Sequence, residues 1–187
     1  MITEKETIRC EAVFDDTHTH RFLWKHVWNK DKPLAAVIML NPSQSDNLVT
    51  DNTTSLVVNN IARLDSFGGV IIVNLYSQLT TKLSFRWNSD EDLNLPENDH
   101  YISKAAEDSS TVILAWGKAI DTNKRIAARA EQVLTTLKKH QEKLFLISDG
   151  TRSGLHPLTP SIRSHWILEA FHFPEPPAPK ETADSTT

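Results

Sequence analysis

Four apolar runs, each followed by turn-forming residues, dominate the pattern of hydrophobic and polar positions along the chain. They are LAAVIML at 34–40, GVIIVNLYS at 69–77, TVILAW at 111–116 and KLFLIS at 143–148. Continuous apolar runs of this length are typical of strands that are buried on both faces of a parallel sheet. Two shorter strand-like stretches, at 7–14 and 20–28, are joined by the polar turn DDTHT and predict an N-terminal β-hairpin.

Between these runs, apolar residues recur at helical spacing. The spacing predicts a helix from Thr53 that ends at Gly68-Gly69, and further helices over 98–108, 118–141 and 161–171. The alternation indicates a three-layer α/β/α fold with a mainly parallel four-stranded central sheet plus the hairpin. We expect one domain over residues 1–173 and a proline-rich, disordered tail over 174–187.

Polar residues stand where three of the predicted strands end. Asn41 follows the first run, Asn74 lies in the second, and His156 lies in the loop HPLTPS after the fourth. Ligands of open α/β sheets bind where the carboxyl ends of the strands lead into loops. Amide and imidazole groups suit recognition of a base edge and stabilisation of a developing anion. Strand-terminal asparagines also cap helices and build turns, so both interpretations stay open.

Composition narrows the classes of function. The 187 residues carry a net charge of −4, which argues against indiscriminate binding along nucleic acid. A single cysteine, Cys10, excludes an intramolecular disulfide. The N-terminus has no apolar leader and no run is long enough to span a membrane, so we expect a cytoplasmic protein. No histidine spacing or glycine-rich loop predicts a metal or a nucleotide cofactor.

The motifs MLNPS, VNLYS, LAWGKA and HPLTPS, in this order, resemble the uracil-DNA glycosylase superfamily. The chain also resembles a bacterial domain family of unknown function with a strand–NPS–D–x–T signature, which we take as a branch of that superfamily. The resemblance implies an enzyme that flips a base out of DNA and hydrolyses its N-glycosidic bond. Its partner would be double-stranded DNA with a modified or mismatched base, and it would act as a monomer.

The resemblance also implies a role for each matching residue. Asn41 would position the attacking water, Asn74 would read the pyrimidine edge, and His156 would donate to O2 of the leaving base. Asp46 or Asp51 would supply the carboxylate that position 41 lacks, although Asp51 alternatively caps the helix that follows it. The other candidate contacts to substrate in these motifs are Pro42, Ser43, Tyr76, Gly117, Lys118, Leu158, Thr159 and Ser161. Trp87 is a further candidate because it lies in the long polar loop 78–97.

Some of these positions concern the choice of substrate. Gly117 and Lys118 open a predicted helix whose N-terminus suits a phosphate, and Leu158 lies in the loop that would press into the minor groove. Ser43 stands where uracil-specific enzymes have a tyrosine that excludes 5-substituted bases. The small side chain predicts a 5-modified pyrimidine, such as glucosylated hydroxymethylcytosine of phage DNA, and a setting in phage defence.

Two other functions stay open. A catalytically inactive module with the same fold would bind modified DNA or a protein partner, which Asn41 and the acidic net charge favour. A hydrolase or transferase of free nucleosides or nucleotides would use the same pocket without DNA. Binding without base release would indicate the first, and activity on mononucleosides would indicate the second.

Overall fold

A mixed β-sheet forms the centre of the computed structural model, which describes residues 1–5, 7–43 and 49–174. Its strands are β1 (Arg9–Phe14), β2 (Arg21–Val27), β3 (Leu34–Met39), β4 (Gly69–Asn74), β5 (Thr111–Leu114), β6 (Leu144–Ser148) and β7 (Ile167–Ala170). The α-helices are α1 (Asn52–Arg63), α2 (Asp90–Leu93), α3 (Glu97–Glu107), α4 (Ala119–Thr122) and α5 (Lys124–Leu137). Two 3₁₀ segments, Lys138–Lys143 and Pro160–Ile162, complete these elements.

The sheet is larger and more mixed than the predicted one. Its strand order is β1-β2-β4-β3-β5-β6-β7. The four apolar runs form the neighbouring strands β4, β3, β5 and β6, which run parallel to one another. The hairpin extends the same sheet, because β2 pairs antiparallel with β4, and β7 pairs antiparallel with β6 at the other edge. The prediction of a four-stranded, mainly parallel sheet is therefore wrong, whereas the α/β class is confirmed.

The segment 161–171 was predicted as a helix, and that prediction is wrong. The chain makes the 3₁₀ turn Pro160–Ile162 and then enters β7. Ile162 and Trp166 have helical spacing, yet they reach the same apolar cluster from the turn and from the residue before the strand. Pairing with β6 satisfies backbone groups that would otherwise form an open strand edge.

The predicted helix over 118–141 is interrupted at Asn123. This residue is extended (φ −139°), and its side-chain oxygen accepts from the N–H groups of Arg125 (2.9 Å) and Ile126 (3.3 Å). Because an asparagine side chain satisfies the free amides at a helix start, it begins α5 as a new helix. The preceding α4 is a single turn.

Two apolar clusters, one on each face of the sheet, hold the layers together. On one face, α1 packs through Val57 and Ile61. On the other face, α3 packs through Ile102 and α5 through Val133 and Leu137. Helices thus cover both faces, so the central strands are buried as their unbroken apolar sequences require.

Two further predictions concern the C-terminal tail and the absence of a membrane-spanning segment. The predicted tail over 174–187 lies, from residue 175 onward, outside the described residues. Within the ranges that the structure describes, no helix is both long and apolar enough to cross a bilayer.

The strand order determines where a site can form. After β3 the chain pairs β4 on one side, and later it pairs β5 on the other side. The connections that leave the carboxyl ends of β3 and β5 therefore diverge, which opens a crevice in sheets of this kind.

Candidate functional site

A pocket of about 180 Å³ opens where β3 ends. It is lined by Met39, Leu40, Asn41, Ser43, Thr53, Thr80, Thr81, His156 and Leu158. Four residues that the sequence singled out, Asn41, Ser43, His156 and Leu158, thus come together from two distant segments of the chain. The pocket lies at the carboxyl end of a strand, where ligands of open α/β sheets bind.

Asn41 fastens the pocket wall to the end of β3. Its Nδ2 donates to the carbonyl oxygen of Thr80 at 2.6 Å and to that of Pro42 at 3.2 Å. The N–H of Thr80 donates back to the carbonyl of Pro42 at 3.2 Å. Because the amide nitrogen is engaged in this way, Oδ1 is the atom with which Asn41 can accept a hydrogen bond from a bound molecule.

His156 is half-buried, and its hydrogen bond defines its tautomer. The backbone N–H of Leu158 donates to Nδ1 of the ring at 3.2 Å. Burial lowers the pKa of His156 below its ordinary value, which favours the neutral ring. A neutral imidazole that accepts at Nδ1 carries its proton on Nε2. His156, which lines the pocket, therefore carries its N–H donor on Nε2.

Gly117 allows the loop of His156 to pack against the end of β5. Its φ angle is +63°, a conformation that side chains with a Cβ rarely adopt. A Cβ at this position would lie 2.7 Å from Cβ of His156, well inside contact distance. Lys118, next in the chain, is exposed and precedes only the single turn α4. The phosphate site predicted there assumed a long helix, and one turn does not supply that dipole.

Asp51 caps α1, so the capping alternative is confirmed. Its Oδ1 accepts from the N–H of Thr54 at 2.9 Å, and its Oδ2 accepts from the hydroxyl of Thr54 at 3.2 Å. The hydroxyl of Ser43 also donates to Oδ2. This carboxylate therefore joins the segment after β3 to the start of α1. Asp46, the other predicted carboxylate, lies outside the described residues.

Arg21 is a buried cation near the site that the sequence analysis did not identify. It is 1% exposed at the start of β2, and its backbone N–H donates to the carbonyl of Ser77, beyond the carboxyl end of β4. Burial lowers the pKa of Arg21 to about 10, and the negative charge of Asp51 opposes this shift. The sequence signal that could have identified a buried arginine is its position directly before the apolar residues FLW of a predicted strand.

Two predicted contacts lie off the pocket lining. Asn74 is 1% exposed and pairs in register with Met39, one strand away from the pocket. Its Oδ1 is buried without a hydrogen-bond partner among the described residues, while its backbone carbonyl accepts from Nδ2 of Asn98 at 3.0 Å. Trp87 is exposed on the segment between β4 and α2.

Tyr76 lies in a different pocket, of about 380 Å³, next to α5. Its hydroxyl donates to the carbonyl of Arg125 at 3.3 Å. Arg125 pairs with Asp90 there, and Arg129 pairs with Asp99. The structure therefore separates Tyr76 from the group around His156.

Other predicted residues shape the loop of His156. The N–H of Thr159 donates to the carbonyl of His156 at 2.8 Å. The hydroxyl of Ser161 donates to the carboxylate of Asp149 at 2.7 Å, which also pairs with Arg152. Their observed contacts therefore hold the loop in place.

A family model described as "Protein of unknown function (DUF1643)" matches residues 21–158, most of the chain. The chain belongs to the DUF1643 family. The DUF1643 region begins with β2, contains all four parallel strands, and ends at Leu158 on the pocket rim. No curated protein and no solved structure matches this chain.

Gly117→Ala in this DUF1643 chain should lower the free energy of unfolding more than Gly154→Ala does. Both glycines have positive φ (+63° and +71°), so both substitutions carry a backbone cost of about 1–2 kcal/mol. A Cβ at Gly117 also meets His156, whereas one at Gly154 meets nothing within 4 Å. Urea unfolding of the two variants measures the difference, and equal losses would contradict the packing argument.

The free energy of unfolding of the DUF1643 chain should fall as the pH drops below about 6.5. Burial lowers the pKa of His20, His26 and His156 in the folded state, so the unfolded chain binds protons first. Urea unfolding at pH 7.5 and at pH 5.5 measures the loss. His156→Asn should reduce the pH dependence, while the control His165→Asn, at an exposed position, should leave it unchanged. An equal effect of both would refute the assignment to His156.

Proposed function

We propose that this DUF1643 protein is a DNA glycosylase that receives a flipped base in the pocket at the end of β3. The observation that supports this most is that Asn41 and His156 meet in one small pocket with opposite hydrogen-bonding character. Asn41 offers an acceptor, Oδ1, and His156 offers a neutral donor, Nε2–H. Hydrolysis of a glycosidic bond needs an acceptor for the attacking water and a donor for the leaving base.

In the proposed reaction, Oδ1 of Asn41 orients a water molecule toward C1′ of the flipped nucleotide. The bond from C1′ to the base nitrogen breaks and its electron pair leaves with the base, while the oxygen of the water forms a bond to C1′. Nε2–H of His156 stabilises the negative charge that grows on O2 of the base. The attacking water loses its proton to solvent, and the released base is neutralised from solvent.

Asp51 acts in this proposal through its charge. A nearby anion stabilises a transition state that resembles an oxocarbenium ion. The carboxylate accepts hydrogen bonds from Ser43 and Thr54, and both Ser43 and Thr53 line the pocket. Because these hydrogen bonds hold the carboxylate at the start of α1, we assign Asp51 the role of a positioned negative charge rather than of the base that activates water.

The size of the pocket favours a base over a whole nucleotide. Sites for larger ligands have volumes of roughly 300–1,000 Å³, whereas this pocket has about 180 Å³. Leu158 is 40% exposed at its rim, as expected for a side chain that replaces a flipped base. Nε of the exposed Arg163 donates to the carbonyl of Leu158 at 3.2 Å. A cation therefore lies beside Leu158, where it could contact a DNA phosphate.

Ser43 supports a 5-modified pyrimidine as the target. The residue lines the pocket with a small side chain, and its hydroxyl is directed to Asp51. A small side chain at this position is consistent with a 5-substituted pyrimidine such as glucosylated hydroxymethylcytosine of phage DNA, whose sugar would project out of the pocket, and therefore with a role in phage defence.

A DNA-binding module without catalysis is the second candidate. It is favoured by the structural hydrogen bonds of Asn41 and Asp51, which account for both residues without a reaction. The experiments below separate the two candidates.

Base release from a panel of DNAs tests the glycosylase. The panel contains uracil, thymine mispairs, 5-hydroxymethylcytosine and its glucosylated form, and mass analysis identifies any free base. We expect release of the modified base, with a loss of about 10²–10³-fold for His156→Ala because an anion-stabilising donor is removed. Asn41→Ala should also lose activity, and His165→Ala serves as the control. Binding without release from any DNA would favour the binding module.

Substitutions at Ser43 test the choice of substrate. Ser43→Tyr should abolish release of a bulky 5-substituted base, because the ring would fill the space beside the pyrimidine. Ser43→Ala keeps that space and removes only the hydrogen bond to Asp51, so it should retain activity on the bulky base. Unchanged activity of Ser43→Tyr on bulky bases would show that Ser43 does not face the 5-substituent.

A further inference from the structure

An exposed tryptophan with a stacked arginine projects from the segment between β4 and α2. Trp87 is 76% exposed, and the guanidinium carbon of Arg86 lies 4.7 Å from the centre of its ring. Three other tryptophans, Trp24, Trp116 and Trp166, are at most 5% exposed, and Trp28 is half-buried. Arg86 forms no ion pair among the residues that the structure describes. We call this pair, Arg86 and Trp87, the aromatic tip.

The aromatic tip is held in place from both sides. Before it, the ring of Phe85 packs edge-on against Tyr76 at 5.7 Å, and its carbonyl accepts from Nη1 of Arg125 at 3.2 Å. After it, Nδ2 of Asn88 donates to the carbonyl of Ser84 at 2.9 Å. Because the flanking residues are already ordered, binding of a partner costs less conformational entropy. The exposed ring is therefore preorganised for binding.

The aromatic tip also lies close in sequence to the pocket wall. Thr80 and Thr81 line the pocket, and Nδ2 of Asn41 donates to the carbonyl of Thr80. Trp87 comes six positions after Thr81, so its Cα lies at most about 22 Å from the Cα of Thr81. A nucleic-acid strand with one base in the pocket therefore has neighbouring nucleotides within reach of the tip.

We infer that the aromatic tip is a stacking platform for an unpaired base of the nucleic acid that the pocket binds. This inference rests on the proposed function and refines it. A tryptophan face stacks on any base, and an adjacent arginine adds a positive charge for the phosphate. In an intact duplex the base faces are already stacked on their neighbours, so the platform receives a base that becomes unstacked where the DNA opens around the flipped nucleotide.

Tryptophan fluorescence tests the platform without requiring any cleavage. An unmodified oligodeoxythymidine of 15 nucleotides should quench the emission of the wild-type chain and protect it from iodide. Trp87→Phe should remove most of this response, while Trp28→Phe, at a half-buried position, should keep it. In anisotropy titrations with a labelled oligonucleotide, Trp87→Ala should weaken binding by about 5- to 150-fold, and Trp87→Phe should weaken it much less.

Several outcomes would overturn the inference. They are equal affinities of Trp87→Ala and the wild type, a preference for an intact hairpin duplex over the single strand, or a response to glucosylated duplex alone. The last result would indicate that the ring stacks on the sugar of the modified base. His165→Ala, at an exposed position outside the pocket, should bind the oligonucleotide like the wild type. The binding assay requires no base release, so a failure of stacking at Trp87 and a failure of base release from the DNA panel are separate observations.

Discussion

The pairing of β3 on both sides is the constraint on which the site depends. β3 is hydrogen-bonded in parallel to β4 and to β5, and its residues are buried between helices on both faces. Both of its neighbours follow it in the chain, so β3 is the point at which the strand order turns from one side of the sheet to the other. Asn41 enters the crevice from β3 itself. His156 reaches it only because Gly117, after β5, leaves room for the loop.

The parallel strands could be predicted because burial on both faces requires an unbroken apolar sequence. The edges of the sheet could not. β7 is largely exposed, and its four residues carry no alternation long enough to identify a strand. Its existence depends on the free edge of β6, which becomes visible only when the sheet is assembled. The break before α5 had a local signal in Asn123, but the surrounding helical periodicity obscured it.

In the site, too, features with a local sequence signal could be predicted, whereas features that depend on strand pairing could not. Asn41 and His156 could be predicted because fold rules connect strand ends to binding crevices. Tyr76 was misplaced because β4 ends at Asn74. Beyond that point Leu75 and Tyr76 both join one apolar cluster, so the alternation of a strand no longer applies. The proximity of Arg21 to Asp51 depends on the pairing of β2 with β4, which no spacing in the sequence encodes.

The structural hydrogen bonds of Asn41 limit which residue can occupy this position, and therefore which catalytic group the protein can place there. A carboxylate at this position would have no hydrogen to give, and its oxygens would repel the carbonyls of Pro42 and Thr80 that the amide now holds. The asparagine is thus not a weakened aspartate. In a chain with this pocket wall, replacing Asn41 by aspartate would also require a new donor for the carbonyl of Thr80. A single substitution at position 41 would therefore destabilise the wall.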